Sequence, residues 1–272
     1  MRLGIFAKTF SGSTLADVLR SVSRAGYHSV QLNLSSAGLP SMPDALNEED
    51  VRQIVDAIKT TQIRIEALSG TFNMAHPDSS ERKNGLRRFN EVCRIANRIQ
   101  APVVTVCTGT RDVTDMWKEH PENCSAGAWK DLCDTMEGAL RAAEENDVLL
   151  GVEPEHGNVT SNAPKARKLL DTFRTGRLRI VLDPANLVGG ERDGSEVLTE
   201  AFDLLGTDVI LAHGKDRGLD GLVTAPGSGV VPWDFFVQLL RHNRFSGALI
   251  VHGVAEKEAT RARAFFEEVI FS

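Results

Sequence analysis

The stretch Leu149-Leu150-Gly151-Val152-Glu153-Pro154-Glu155-His156-Gly157 begins as an apolar run and then sets Glu153, Glu155 and His156 within four positions. Carboxylates and an imidazole so placed can bind a divalent cation or move protons near neutral pH. Three later apolar runs end in comparable chemistry: Asp183, followed by Pro184, Ala185 and Asn186; His213, followed by Gly214, Lys215 and Asp216; and His252. An upstream run continues through Ser69 and Asn73 to His76. Four of the seven histidines thus lie at or just past the ends of apolar runs.

The elements that must carry these residues repeat one unit. Short runs rich in Val, Ile and Leu alternate with longer stretches of helical period, the pattern of β–α units around a parallel sheet. The runs are Leu3 to Ala7, Ser29 to Leu34, Ile63 to Leu68, Val103 to Cys107, Val148 to Glu153, Leu178 to Asp183, Val209 to His213 and Ala248 to His252. Glu48 to Thr60 carries Val51, Ile54, Val55 and Ile58 at helical spacing, and Ser80 to Ile99 carries Leu86, Phe89, Val92, Cys93 and Ala96. Pro232 before Trp233 marks a helix first turn. Eight such units predict one (β/α)8 TIM barrel, an α/β fold spanning 1–272 as a single domain. A doubly wound open sheet is disfavoured because the first turn, Lys8 to Ser13, lacks the glycine fingerprint of a dinucleotide site.

Composition excludes other classes. At 42% hydrophobic and 25% charged, 272 residues bury a large core. No apolar run has the length of a membrane helix, and MRLGIFAKTF does not read as a secretion signal, so the expected location is the cytoplasm. A net charge of −6 with scattered basic residues argues against a nucleic-acid partner. Cys93, Cys107, Cys124 and Cys133 show no CxxC spacing and are expected as free thiols.

In such a barrel, strand ends converge on one mouth whatever their separation in sequence. Each residue alone has a plainer reading: Glu153 as half of an ion pair, Asp183 as a turn cap, His213 as a hydrogen-bonded core histidine. Together, Glu153, Asp183, His213 and His252 end the last four strands and form a ligand set for one divalent metal, Mn, Co, Zn or Mg. Without a cation, facing carboxylates would repel. Alternation along the seventh strand sends Lys215 the same way as His213. Lys215 is then available to a substrate oxygen or to Asp216. Arg64 and Glu66, two apart on the third strand, are expected to pair. Gly227-Ser228-Gly229 reads as a loop turn, with backbone amides as a phosphate contact the less favoured alternative.

The segments Gly-Val-Glu-Pro-Glu-His-Gly-Asn (151–158), Val-Leu-Asp-Pro-Ala-Asn-Leu (181–187), Leu-Ala-His-Gly-Lys-Asp (211–216) and Leu-Ser-Gly-Thr-Phe-Asn-Met-Ala-His-Pro-Asp (68–78) resemble the xylose isomerase-like TIM barrel superfamily, and within it the sugar phosphate isomerase/epimerase group. The resemblance implies one metal held by a Glu, an Asp, a His and a second Glu. Glu153, Asp183 and His213 match the first three. His252 stands where the second Glu is expected, with Glu256 four residues on at a helix start. The resemblance further implies an isomerase or epimerase of a small sugar or polyhydroxy carbonyl compound, working through an enediolate with Glu153 and His252 as the acid–base pair. His76, His156, Asn186 and Lys215 would then contact substrate or orient the ligands. A metal-assisted dehydratase and a non-catalytic sugar-binding barrel are the alternatives, and a homodimer is implied by the same likeness.

Overall fold

The computed structural model describes residues 1–190 and 192–271. Its elements run β1 (Arg2–Phe6), α1 (Leu15–Arg24), β2 (Ser29–Leu32), α2 (Glu48–Thr61), β3 (Arg64–Ser69), α3 (Ser79–Arg98), β4 (Val103–Cys107), α4 (Ala126–Glu145) and β5 (Leu149–Glu153). They continue with α5 (Ala163–Phe173), β6 (Leu178–Leu182), a single turn α6 (Pro184–Leu187), α7 (Gly194–Leu205), β7 (Val209–Gly214), a short ribbon β8 (Asp216–Arg217) and β9 (Val223–Thr224), α8 (Trp233–His242), β10 (Ala248–Val251) and α9 (Ala259–Phe271). Strands β1, β2, β3, β4, β5, β6, β7 and β10 close in that order into a parallel barrel, with β10 hydrogen-bonded to β1. This is the TIM barrel expected from the sequence. The ribbon β8–β9 is antiparallel and outside the barrel; nothing in the alternating units announced it.

Strand alternation divides the apolar residues into two populations. Ala67, Val103, Val181, Leu211, Ala248 and Ile250 pack together inside the barrel. The opposite faces of the strands, with Val104, Val106, Leu150, Val152, Ile180 and Leu182, join the much larger layer beneath the surrounding helices. The helices begin where polar side chains satisfy their first free N–H groups: Thr14, Asn47, Asp78, Ser125, Asn162 and Asp193 each accept from a backbone N–H in the first turn. At the N-terminal end of the barrel, buried Glu66 accepts two hydrogen bonds from Arg2 at 2.8 and 2.9 Å and pairs with Arg64 at 3.2 Å, so the expected Arg64–Glu66 pair is there but shared.

Two register shifts matter for the site. On β2, Val30 pairs with Ile65 but Gln31 pairs with Ala67, leaving Glu66 unmatched; between β6 and β7, Ile180 pairs with Val209 but Val181 with Leu211. Such irregularities re-aim side chains. Gln31 is registered with the inward-facing Ala67, and Leu211 opens the inward series Leu211, His213, Lys215. Among the described residues, no helix is long and apolar enough to cross a membrane. The four cysteines are unpaired.

Candidate metal centre

Inward-facing residues at the C-terminal ends of β5, β6, β7 and β10 meet at the barrel mouth. Asp183, His213 and His252 offer ligand atoms that all lie within 4.8 Å of one another. Glu153 falls outside that trio but touches it, its Oε1 lying 3.2 Å from His213 Nδ1. His213 Nδ1 is also 3.8 Å from Asp183 Oδ2, and the His213 and His252 rings are 5.5 Å apart. The β10 strand ends at Val251, so His252 sits one step beyond it, its ring edge-on to Phe6 of β1 at 5.0 Å.

Asp183 performs the capping role that its sequence context suggested and faces the cluster as well. Its Oδ1 accepts from Ala185 N at 2.9 Å and so caps α6, which fixes the carboxylate plane. Its Oδ2 is buried, with the Lys215 ammonium 3.1 Å away as its ion-pair partner. His252 Nδ1 is buried without a partner. Buried polar atoms are almost always satisfied, so the unpartnered His252 Nδ1, beside a carboxylate oxygen whose one close partner is Lys215, fits a ligand between them. One carboxylate oxygen, two imidazole nitrogens and a second carboxylate alongside suit a borderline divalent ion such as Zn, Co or Mn. The residues fit the group.

Glu153 is held from several sides. Oε1 accepts from Asn186 Nδ2 at 2.9 Å, and the Cys107 thiol lies 3.8 Å from Oε2. Asn186 Oδ1 in turn receives Lys215 Nζ at 2.6 Å. Lys215 therefore points into the site, as alternation requires, and pairs with Asp183 rather than with Asp216. Asp216 faces the opposite way and is fully buried. Its carboxylate accepts from the backbone N–H of Arg217, Gly227, Gly229 and Val231 and from the Trp233 indole, at 2.9 to 3.3 Å. The amides of Gly227 and Gly229, the less favoured phosphate contact in the sequence, are thus already occupied by a carboxylate.

The electrostatics follow from burial and from these neighbours. Burial by itself would raise the Glu153 carboxyl, but the charge and hydrogen bond of His213, with Lys215 and His252 beyond, hold it at about 2. Burial opposes protonation of His213, and Glu153 beside it outweighs burial and raises it. Asp183 is raised, because complete burial and the second carboxylate exceed the pull of Lys215. Lys215 is raised in spite of burial by Asp183, Glu153 and Glu155. Burial and the charge of His213 push His252 down to about 3, leaving it a neutral imidazole at physiological pH. Burial raises Glu155.

The remaining expected residues sit outside this cluster. His156 is exposed and lines a cavity of about 410 Å³ with Glu119, Asn162 and Arg192; Asn186 forms its inner wall and connects it to Glu153. His76 lies just before α3, where its Nδ1 accepts from Asp78 N at 3.0 Å; the loop around it is tied down by Arg82 and Arg111, both paired with Asp131. His76 lines a separate cavity with Phe72, Asn73 and Arg88. Glu256 does not turn back to replace the missing carboxylate: its Oε2 accepts from Ser11 N at 3.2 Å on the surface. The residue that sequence reasoning missed is Gln31, whose Oε1 is 2.9 Å from His213 Nε2. The one available signal was an amide side chain in the middle of the run Ser29 to Leu34.

With this fold and site, the chain belongs to the family described as xylose isomerase-like TIM barrel, whose model matches residues 19–269. No curated protein matches it in sequence. Among solved structures it is similar to a D-tagatose 3-epimerase-like protein (TM-score 0.81, 12% identity, covering 100% of this chain and 97% of the other). It is also similar to a 3-keto-D-glucoside 4-epimerase from E. coli (TM-score 0.78, 16% identity, 98% and 99% covered) and to a probable 3-DHS dehydratase from Bacillus anthracis (TM-score 0.78, 13% identity, 98% and 99% covered). At these identities the likeness is one of fold.

Proposed function

We propose that this chain is a divalent-metal-dependent isomerase or epimerase of a small sugar or polyhydroxy carbonyl compound, its barrel forming one domain with the site at the mouth. The observation that carries the reading is the cluster of Asp183, His213 and His252, whose ligand atoms lie within 4.8 Å of one another beside Glu153, with His252 Nδ1 buried and unpartnered. Asp183, His213 and His252, with Glu153, would hold the ion. When bound it supplies positive charge where a substrate oxygen becomes negative during enolisation, among the strongest forms of stabilisation open to an enzyme.

The chain's own groups supply the proton transfers. Glu153 is ionised and accepts a proton from the carbon beside the substrate carbonyl. His252 faces the same site and, where Nδ1 is not engaged by the ion, is the second acid–base group, which must carry a proton before it returns one to carbon while Glu153 keeps the proton it removed. Return of a proton to the opposite face of the same carbon gives an epimer; return to the former carbonyl carbon gives the isomer. Lys215 and Asn186 hold Glu153 and Asp183 in place and present their outer faces to substrate oxygens, and His156 and the 410 Å³ cavity beyond Asn186 accommodate the rest of the molecule. The sugar-epimerase names of similar folds support the substrate class.

The test is a panel of ketoses, aldoses and keto-sugars offered to the protein with Mn, Co or Zn, with the products identified. Conversion at unchanged mass, abolished in Glu153→Gln and Asp183→Asn, is the expected result. Full activity in either variant overturns the assignment. A dehydratase is the second reading, favoured by the like fold of a probable dehydratase; product lighter by one water identifies it.

A further inference from the structure

We infer that Gln31 is a positioning residue for the metal centre: it selects the tautomer of His213 that carries its proton on Nε2 and so leaves Nδ1 free to act as a ligand. The inference rests on the metal-centre reading above and adds a residue from the far side of the barrel to it.

Gln31 lies on β2, immediately after the register shift against β3, and is 3% exposed. Its Nε2 donates to Ser69 Oγ at 3.0 Å and to Thr105 Oγ1 at 3.1 Å, both buried. A primary amide has two N–H donors, and both are used here, so the atom presented to the imidazole is the oxygen, 2.9 Å from His213 Nε2. Turning the amide over would strand one N–H in the buried barrel interior, which is costly. Ser69 on β3 and Thr105 on β4 can donate as well as accept, so it is the second N–H, which has acceptors on that side alone, that orients the amide and through it the ring.

The consequence is chemical. An amide oxygen accepts only, so Nε2 must carry hydrogen, and in a neutral imidazole the other nitrogen then has its lone pair free. That nitrogen, Nδ1, faces Glu153 Oε1 at 3.2 Å and Asp183 Oδ2 at 3.8 Å, so a cation between them would take the place of the proton that Nδ1 shares with Glu153 in the metal-free chain. Left alone, the ring would favour the opposite tautomer, because a proton on Nδ1 would point at the Glu153 carboxylate. Such a ring cannot coordinate through Nδ1. Gln31 offsets that preference from the other side of the ring.

Zinc affinity, measured by competition with a chromogenic chelator, tests this independently of turnover. Gln31→Leu is expected to lose about 10- to 100-fold in affinity, the usual effect of removing the group that orients a ligating histidine. Gln31→Glu, which keeps an acceptor oxygen at the same reach, is expected to recover most of the loss, and Gln31→Met serves if the Leu variant does not fold. In a His213→Ala background, Gln31→Leu is expected to have no further effect. Unchanged zinc affinity in both apolar variants, or an equal loss with and without His213, overturns the inference while leaving the metal centre standing. Wild-type protein that takes up none of Zn, Co and Mn overturns the metal centre and the inference together.

Discussion

Lys215 and Asp183 form a buried ion pair, Nζ to Oδ2 at 3.1 Å, in which the lysine also holds Asn186 and the aspartate has no other partner for that oxygen. Without a bound ion, this ammonium is the cation nearest the ligand oxygen. Lys215→Met leaves Asp183 and Glu153 buried with less compensation, and the chelated protein is expected to lose about 3–5 kcal/mol of stability, the usual result of removing one partner of a buried pair. Saturating divalent ion should restore much of the loss, because the ion binds only the folded chain. Urea unfolding with and without metal checks both parts; equal destabilisation in the two conditions contradicts this role for the pair.

Asp216 is the hub of the segment that follows β7. Its carboxylate accepts four backbone N–H groups and the Trp233 indole, while Trp233 stacks edge-on against Phe266 at 4.8 Å. Asp216→Ala leaves at least three of these donors without an acceptor, a loss of about 3 kcal/mol or more at about 1–3 kcal/mol per stranded group. Lower stability in urea and faster tryptic cleavage after Arg217 are expected. Since this carboxylate already fills the cradle, inorganic phosphate should leave the wild-type amide resonances of Gly227 and Gly229 unmoved.

The acid side of the stability profile carries the signature of His252. In chelated protein its imidazole stays neutral down to about pH 3, whereas the same group in the unfolded chain takes up a proton near 6.5. Between those values the unfolded state binds more protons, so stability falls as pH falls through that window. Glu153, depressed to about 2, acts in the same direction below its ordinary range. His213, raised, acts oppositely: its contribution is full below the ordinary imidazole value and is lost as pH rises through the folded value. His252→Gln should flatten the acid limb by up to about 1.4 kcal/mol per pH unit. Unfolding free energies across the window, in chelator, measure it; an unchanged slope contradicts the burial of a neutral His252.

The strands were legible because apolar runs bounded by polar loops leave little choice of period: Val103 to Cys107 is reproduced residue for residue, and Arg64–Ser69 is displaced by one from the expected Ile63 to Leu68. The mouth residues were legible because a barrel converts strand ends into neighbours, so Asp183, His213 and His252 assemble without any sequence proximity. What could not be read was direction and partnership away from those ends. Lys215 and Asp216 are adjacent, and only strand parity sends one to Asp183 and the other to Gly227 and Trp233. Gln31 was hidden by the register shift that precedes it, which no periodicity records. His76 follows a strand end as expected, and what the sequence did not show is that its Nδ1 accepts from the Asp78 N–H at the start of α3, away from the Asp183, His213 and His252 cluster.

The most direct measurement is the metal content of protein purified without chelator and without a histidine tag, set beside Asp183→Ala and His213→Ala. Roughly one equivalent of a divalent ion is expected in the wild type, as a single cluster of ligands requires, with its loss in both variants. Wild-type protein that holds no divalent ion, even after incubation with excess Zn, Co or Mn, would contradict the metal centre and leave a sugar-binding barrel without the chemistry.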